Sequence, residues 1–211
     1  MARGAFISFE GSEGCGKSTQ ILHLAARLRA TGERVLVTRE PGGTEIGEQL
    51  RHLLQHSKAG HAMAAETELL LFTASRAQLV REVIAPALAD GHIVLADRFL
   101  DSTTVYQGVA RQLEAAQVAA INAFAVGPVL PALTFVLDVD PEIARRRMQQ
   151  RTLAFDRMES QPTAFYDAVR AGYLALAREN PARIRLLDGS GTLETVAREI
   201  WENLAPIFAS R

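Results

Sequence analysis

Gly11-Ser12-Glu13-Gly14-Cys15-Gly16-Lys17-Ser18 is the stretch that decides the fold. It fits G-x-x-x-x-G-K-[ST] in the setting that pattern needs, with the apolar run Ala5–Phe9 before it and a helical pattern after it. The glycines let successive backbone N–H groups converge on phosphate oxygens, and the following helix adds the positive end of its dipole. Gly11 to Thr19, with Ser12, Glu13, Gly14, Cys15, Gly16, Lys17 and Ser18 between them, are therefore the expected triphosphate cradle. In such a loop Lys17 reaches the β- and γ-phosphates of a nucleoside triphosphate, and Ser18 ligates Mg²⁺.

Working outward, short apolar runs alternate with helical patterns. The expected strands are Ala5–Phe9, Arg34–Thr38, Ile93–Ala96, Leu133–Asp138 and Ile184–Leu187. Their lack of polar alternation is how strands buried on both faces of a parallel sheet read. Ile21, Leu24, Ala25 and Leu28 keep helical spacing, with Gly32 as the helix stop. A long helix is expected over Thr67–Leu88, burying Leu70, Ala74, Ala77, Val80 and Ile84. Pro141 and Pro162 each open a helix, and Leu193–Phe208 closes the chain. Strand–helix alternation predicts a three-layer P-loop α/β fold: a five-stranded parallel sheet with helices on both faces.

Composition bounds the rest. The 211 residues are 48% hydrophobic and 22% charged, which suits one domain over 1–211. A formal net charge of -1 gives no overall basic excess for a nucleic-acid polymer. The only cysteine, Cys15, cannot form an intramolecular disulfide, and no apolar run approaches the roughly 20 residues that span a bilayer. A cytoplasmic protein without membrane partners is expected. The local charge anomaly is the Arg-dense stretch Arg145–Arg157.

A P-loop does not name a reaction. GTPases need a base-reading N-K-x-D, which is absent, and ATPases end a hydrophobic strand in Asp-Glu, where this chain has Ala96-Asp97-Arg98. Asp97 and Arg98 sit at a predicted strand end, where ligands bind in open α/β sheets. Phe72 and Arg76, four residues apart, share a helix face, as do Arg147 and Arg151. The loop's variable residues Ser12, Glu13, Gly14 and Cys15 include no cation, so one for the transferring phosphoryl must come from elsewhere, and the arginine stretch is the obvious source.

Five further segments carry a resemblance. They are Phe9-Glu10-Gly11, Thr38-Arg39-Glu40-Pro41-Gly42-Gly43-Thr44, Leu71-Phe72-Thr73-Ala74-Ser75-Arg76, Asp97-Arg98-Phe99 with Tyr106-Gln107-Gly108, and Asp156-Arg157-Met158-Glu159. Together they resemble the bacterial thymidylate kinases over residues 6 to 159. Where that family usually continues Y-Q-G with a glycine-rich turn, this chain has Val109-Ala110-Arg111-Gln112.

The resemblance implies phosphorylation of dTMP by ATP with Mg²⁺, in a homodimer. It makes Arg98 an acceptor-phosphate clamp, puts Asp97 near Mg²⁺, and sets Glu10 near the acceptor sugar and phosphates. Arg39, Glu40 and Arg51 would cover the acceptor, Phe72 would stack on its base and Arg76 bond the base edge. Ser75, Thr103, Tyr106 and Gln107 join that acceptor set. The resemblance also makes the Arg-dense stretch Arg145–Arg157 a lid over about 145–160. Lys17, Arg98, Glu10 and Arg151 are the expected catalytic residues, Arg147 an ATP contact, and Arg157 a tie between lid and acceptor side. The rivals are another nucleoside or deoxynucleoside monophosphate kinase and, from a different class, a non-catalytic nucleotide-binding switch.

Overall fold

The computed structural model describes residues 4–150 and 156–209. Five parallel strands form one sheet: β1 (Ala5–Glu10), β2 (Val35–Arg39), β3 (Ile93–Asp97), β4 (Leu133–Asp138) and β5 (Ile184–Asp188). Their order is β2-β3-β1-β4-β5, so β1 is central and its C-terminal end opens where connections leave to both sides. The register sets Ile7 beside Leu95 and Leu133, and Phe9 beside Asp97 and Phe135.

Helices cover both faces: α1 (Lys17–Ala30), α2 (Glu45–Gln55), α3 (Ala65–Leu79), α4 (Ala85–Ala89), α5 (Leu100–Thr103), α6 (Ala115–Val126), α7 (Pro141–Gln149), α8 (Thr163–Glu179) and α9 (Leu193–Ala209). Ile7, Phe9, Leu95 and Phe135 pack with Ile21, Leu24 and Leu28 of α1 and Ile200 of α9. On the opposite face Phe6, Val94 and Ala96 pack with Leu79, Val80 and Ile84. Val136 and Ile184 meet Val169 and Tyr173 of α8. The expected stop of α1 holds: Gly32, at φ +87°, donates to the Arg29 carbonyl while Glu33 reaches back to Leu28. Among the described residues, no helix is long and apolar enough to cross a membrane.

Three expectations need correction. The edge strands β2 and β5 are not buried on both faces; Leu186 is 44% exposed, because an edge strand has a neighbour on one side only. The long helix begins at Ala65 and is interrupted by a π-helical turn, Val80–Ile84, before α4. Pro86 lacks an N–H and crowds the carbonyl four residues back, which the wider turn accommodates. In its first half the buried face is also out of phase with the expectation, Leu70 being exposed while Leu69, Thr73 and Arg76 point inward; Val80 and Ile84 are buried as expected. Leu69-Leu70-Leu71 offered no apolar phase to follow, and polar contacts set the rotation instead. Finally, α5, its π-helical continuation Thr104–Ala110, and α6 had no sequence expectation.

Candidate active site

The P-loop bends through three left-handed glycines, Gly11 (φ +130°), Gly14 (φ +75°) and Gly16 (φ +97°). A Cβ on Gly14 would sit 2.5 Å from the Ala144 carbonyl of α7, whereas one on Gly16 would meet nothing within 4 Å. The first glycine thus serves close packing against α7, and the second leaves open space above the α1 N-terminus. Gly14→Ala should cost about 1–3 kcal/mol, since it combines strain with displacement of α7. Denaturant unfolding checks this; an unchanged midpoint would show that α7 does not rest on the loop.

Lys17 lies across the loop, its Nζ donating to the carbonyls of Gly11 at 3.1 Å and Ser12 at 2.9 Å. Ser18 Oγ donates to Asp97 Oδ2 at 2.5 Å. A hydroxyl and a carboxylate at the ends of α1 and β3 form a hard oxygen pair suited to a small divalent cation. Arg147 reaches from α7 to the Gly189 carbonyl at 3.0 Å and the Gly14 carbonyl at 3.4 Å, joining the loop to the turn after β5.

These groups line a cleft open to solvent, with Thr19, Arg39, Arg51 and Asp156 on its walls. A narrower slot is lined by Phe72, Arg76, Thr103, Tyr106 and Gln107. Glu13, Glu40, Gln55 and Arg98 line both, so the slot opens into the cleft.

Arg98 stands at that junction with φ +73°. Its guanidinium donates to Glu13 at 2.6 Å, Ser102 at 3.1 Å, Tyr106 at 3.2 Å and Tyr173 at 3.3 Å. Burial works against its charge, but Glu13 overrides that and holds the arginine firmly protonated. In return, burial would raise the Glu13 carboxyl, and Arg98 with Lys17 brings it below the usual range. Tyr106 completes the cluster by donating to Glu13 at 2.7 Å.

The slot's floor is Arg76, 1% exposed. It donates to Glu40 at 2.7 Å, Asn122 at 2.8 Å, Thr103 at 2.9 Å and the Phe99 carbonyl at 3.2 Å. Four of its five N–H donors are thereby engaged, leaving one on Nη1. Ser75 lies outside the slot and instead accepts from the Gly42 N–H at 3.1 Å, fixing the Pro41–Gly43 turn. Arg39 pairs with Glu48 at 3.0 Å, and Arg51 donates to the Pro41 carbonyl at 2.9 Å. Burial and the neighbouring Arg39 charge lower the Arg51 pKa.

Glu10 does not join the cleft. It is fully buried and accepts from the Phe99 N–H at 2.8 Å, Ser102 at 2.6 Å and Tyr173 at 2.8 Å. Burial, then the charge of Asp101, raises its pKa from 4.5 to about 7. Below about pH 4.5 folded and unfolded chains both hold this proton. Between there and about 7 the unfolded chain ionises first, so the group's contribution to stability falls as pH rises, then levels off. The melting-temperature difference between the natural chain and Glu10→Gln should therefore decline across that window. A flat difference would contradict the assignment.

A family model described as thymidylate kinase matches residues 9–200. The chain belongs to the thymidylate kinase family. It is 51% identical over 193 residues to a thymidylate kinase of Pseudomonas syringae pv. syringae, covering 92% of this chain and 91% of that one. A thymidylate kinase of Syntrophotalea carbinolica is 47% identical over 201 residues, covering 93% of each. The solved thymidylate kinase of Ehrlichia chaffeensis superposes with a TM-score of 0.77 at 32% identity, covering 96% of this chain and 99% of that one. Membership makes the chain a phosphotransferase, a kinase using ATP.

Against the sequence expectations, Lys17, Ser18, Asp97, Arg98, Arg147, Phe72, Arg76, Tyr106 and Gln107 converge on the joined cavities. Arg157 lies against α2, its Nε donating to the Leu54 carbonyl at 2.6 Å. Arg151 lies outside the described residues. Sequence reading missed Asn122, Ser102, Tyr173 and Glu68. Asn122 left a signal, as the polar residue buried in the otherwise apolar run Val118–Val126 of α6; Glu68 left none.

Proposed function

We propose that this chain transfers the γ-phosphoryl group of ATP to dTMP, giving ADP and dTDP, and that the joined slot and cleft are where the two nucleotides meet. The observation that carries the reading is Arg98 at the junction of a P-loop cleft with an aromatic slot. A phosphate monoester is mostly dianionic at neutral pH, its second pKa being about 6, so its oxygen attacks the γ-phosphorus without a strong base. Catalysis is then positioning and charge compensation. Lys17 serves the β- and γ-phosphates, and Arg98 and Arg51 clamp the acceptor phosphate, with Arg39 and Glu40 over it. Ser18 and Asp97 would hold Mg²⁺, which when bound offsets phosphate charge. Arg147 lies on the ATP side, and Arg151 of the lid at about 145–160 supplies the cation the loop lacks. Glu10, beneath the cleft, acts by holding Ser102 and Tyr173 against Arg98.

Phe72 stacks on the base, Tyr106 packs on the sugar, and Arg76 offers its remaining N–H to the thymine O4. An arginine has only donors, so it opposes the exocyclic amine of cytosine. Sites built on such bonds reject the wrong partner by about 10⁴–10⁵, against roughly 10–200-fold for a methyl group. Turnover of dTMP should therefore exceed that of dCMP by far more than that of dUMP. ADP release over a panel of monophosphates tests this; equal turnover of dCMP and dTMP would sink it, and acceptor-independent binding alone would favour a nucleotide switch.

A homodimer and a cytoplasmic location complete the reading. The dimer is supported by Leu70 of α3 and Phe124 of α6, which are 55% and 83% exposed. Arg81, in the π-helical turn that follows α3, donates to the Ala125 carbonyl of α6 at 2.6 Å.

A further inference from the structure

Phosphoryl transfer asks for no acid at Glu68, yet this residue of α3 is 1% exposed and holds four donors. Gln107 Nε2 donates to it at 2.9 Å, Arg111 at 3.2 Å through both Nε and a terminal nitrogen, and Arg157 approaches to 2.7 Å. Arg111 also donates to Gln161 at 3.0 Å, and the Arg157 N–H donates to the Gln55 carbonyl at 3.0 Å. Burial alone would push the Glu68 carboxyl up, but the hydrogen bonds from Arg111 and Gln107 and the arginine charges bring it below the usual range.

An ionised carboxylate only accepts hydrogen bonds. Gln107 can therefore present only its NH₂ end to Glu68; turned over, its carbonyl oxygen would face a carboxylate oxygen inside the protein. The amide is planar, so Oε1 is the end left facing away from Glu68, on a residue that lines the slot with Phe72 and Arg76. We propose that Glu68 is a positioning residue for base selection: it locks the Gln107 amide so that the slot offers an acceptor where the ring nitrogen of the base arrives. That acceptor matches the N3–H of thymine and opposes the bare N3 of cytosine. Arg111 and Arg157 take part by keeping Glu68 ionised. The inference rests on the thymidylate reading above, and it adds a second discriminating bond, of opposite polarity to that of Arg76.

The test uses the full chain with Glu68→Gln, Gln107→Ala and the double variant, assayed by ADP release with dTMP and with dCMP. A glutamine at 68 offers both a donor and an acceptor, so the Gln107 amide is free to turn. Expected for Glu68→Gln is a rise in KM for dTMP and a fall in the dTMP-over-dCMP ratio of kcat/KM, each about tenfold, with a smaller change in kcat. With Gln107→Ala already present, Glu68→Gln should leave that ratio unmoved. A folded Glu68→Gln with an unchanged ratio and only a lowered melting temperature would make Glu68 a purely structural hub and overturn the proposal. So would an equal change of the ratio in the Gln107→Ala background. Should Glu68→Gln fail to fold, Glu68→Asp keeps the charge but withdraws the carboxylate from Gln107, and the same two outcomes decide. Failure of the unaltered chain to use dTMP would instead overturn the thymidylate reading.

Discussion

Lys17→Ala should fold normally and lose transfer by about 10³-fold or more in kcat, the scale on which a preorganised charge donor acts in a closed site. Lys17 is nearly buried at the head of α1, yet the partners of its Nζ are loop atoms: the Gly11 and Ser12 carbonyls and, at 3.5 Å, Cys15 Sγ. No carboxylate is left unpaired when it is removed, since Glu13 keeps its bonds to Arg98 and Tyr106. The sheet beneath is built on Ile7, Phe9, Leu95 and Phe135, none of which depends on this amine. Circular dichroism and melting temperature should therefore stay close to those of the unaltered chain while ADP release collapses. Near-normal turnover would mean that the loop does not cradle the triphosphate.

Arg151→Ala should lower kcat by about 10³–10⁵, the range of an arginine that stabilises the transferring phosphoryl group, with little change in dTMP binding by calorimetry. Its four candidate competitors are each engaged. Arg98 is held by Glu13, Arg39 by Glu48, Arg51 by the Pro41 carbonyl and Arg147 by two carbonyls. In sequence Arg151 follows the last residue of α7 by two positions, and Arg147 of that helix lines the cleft. Closing such a lid only over both nucleotides would also keep water from the γ-phosphate. A surface arginine would change neither quantity, and an acceptor clamp would change mainly binding. Retention of nearly full kcat would move the role to Arg147 or Arg157.

The five strands were legible because parallel strands read as unbroken apolar runs, and the P-loop because eight contiguous residues make it. The phase of α3 was not, since its inward face carries Glu68 and Arg76, whose partners lie on other elements, and Thr73, which bonds back to the Leu69 and Leu70 carbonyls. Leu100–Ala110 carries Thr103, Thr104, Val105 and Gly108, poor helix formers; its turns are held by Val105 and Tyr106 packing on Val169 and Tyr173. Gln112 adopts φ +59°, a left-handed conformation no pattern of polarity announces. Glu10 read as a strand-end acid beside the loop, and only the approach of Ser102 and Tyr173 turns it under the cleft. The Glu68 hub joins residues 39 and 43 positions apart, beyond any periodicity.

The most direct measurement follows ATP labelled with radioactive phosphorus at the γ position, incubated with the full chain, dTMP and Mg²⁺. The label should appear in dTDP, in step with ADP. Label recovered only as inorganic phosphate, or retained in ATP while dTMP is bound, would contradict transfer between the two nucleotides.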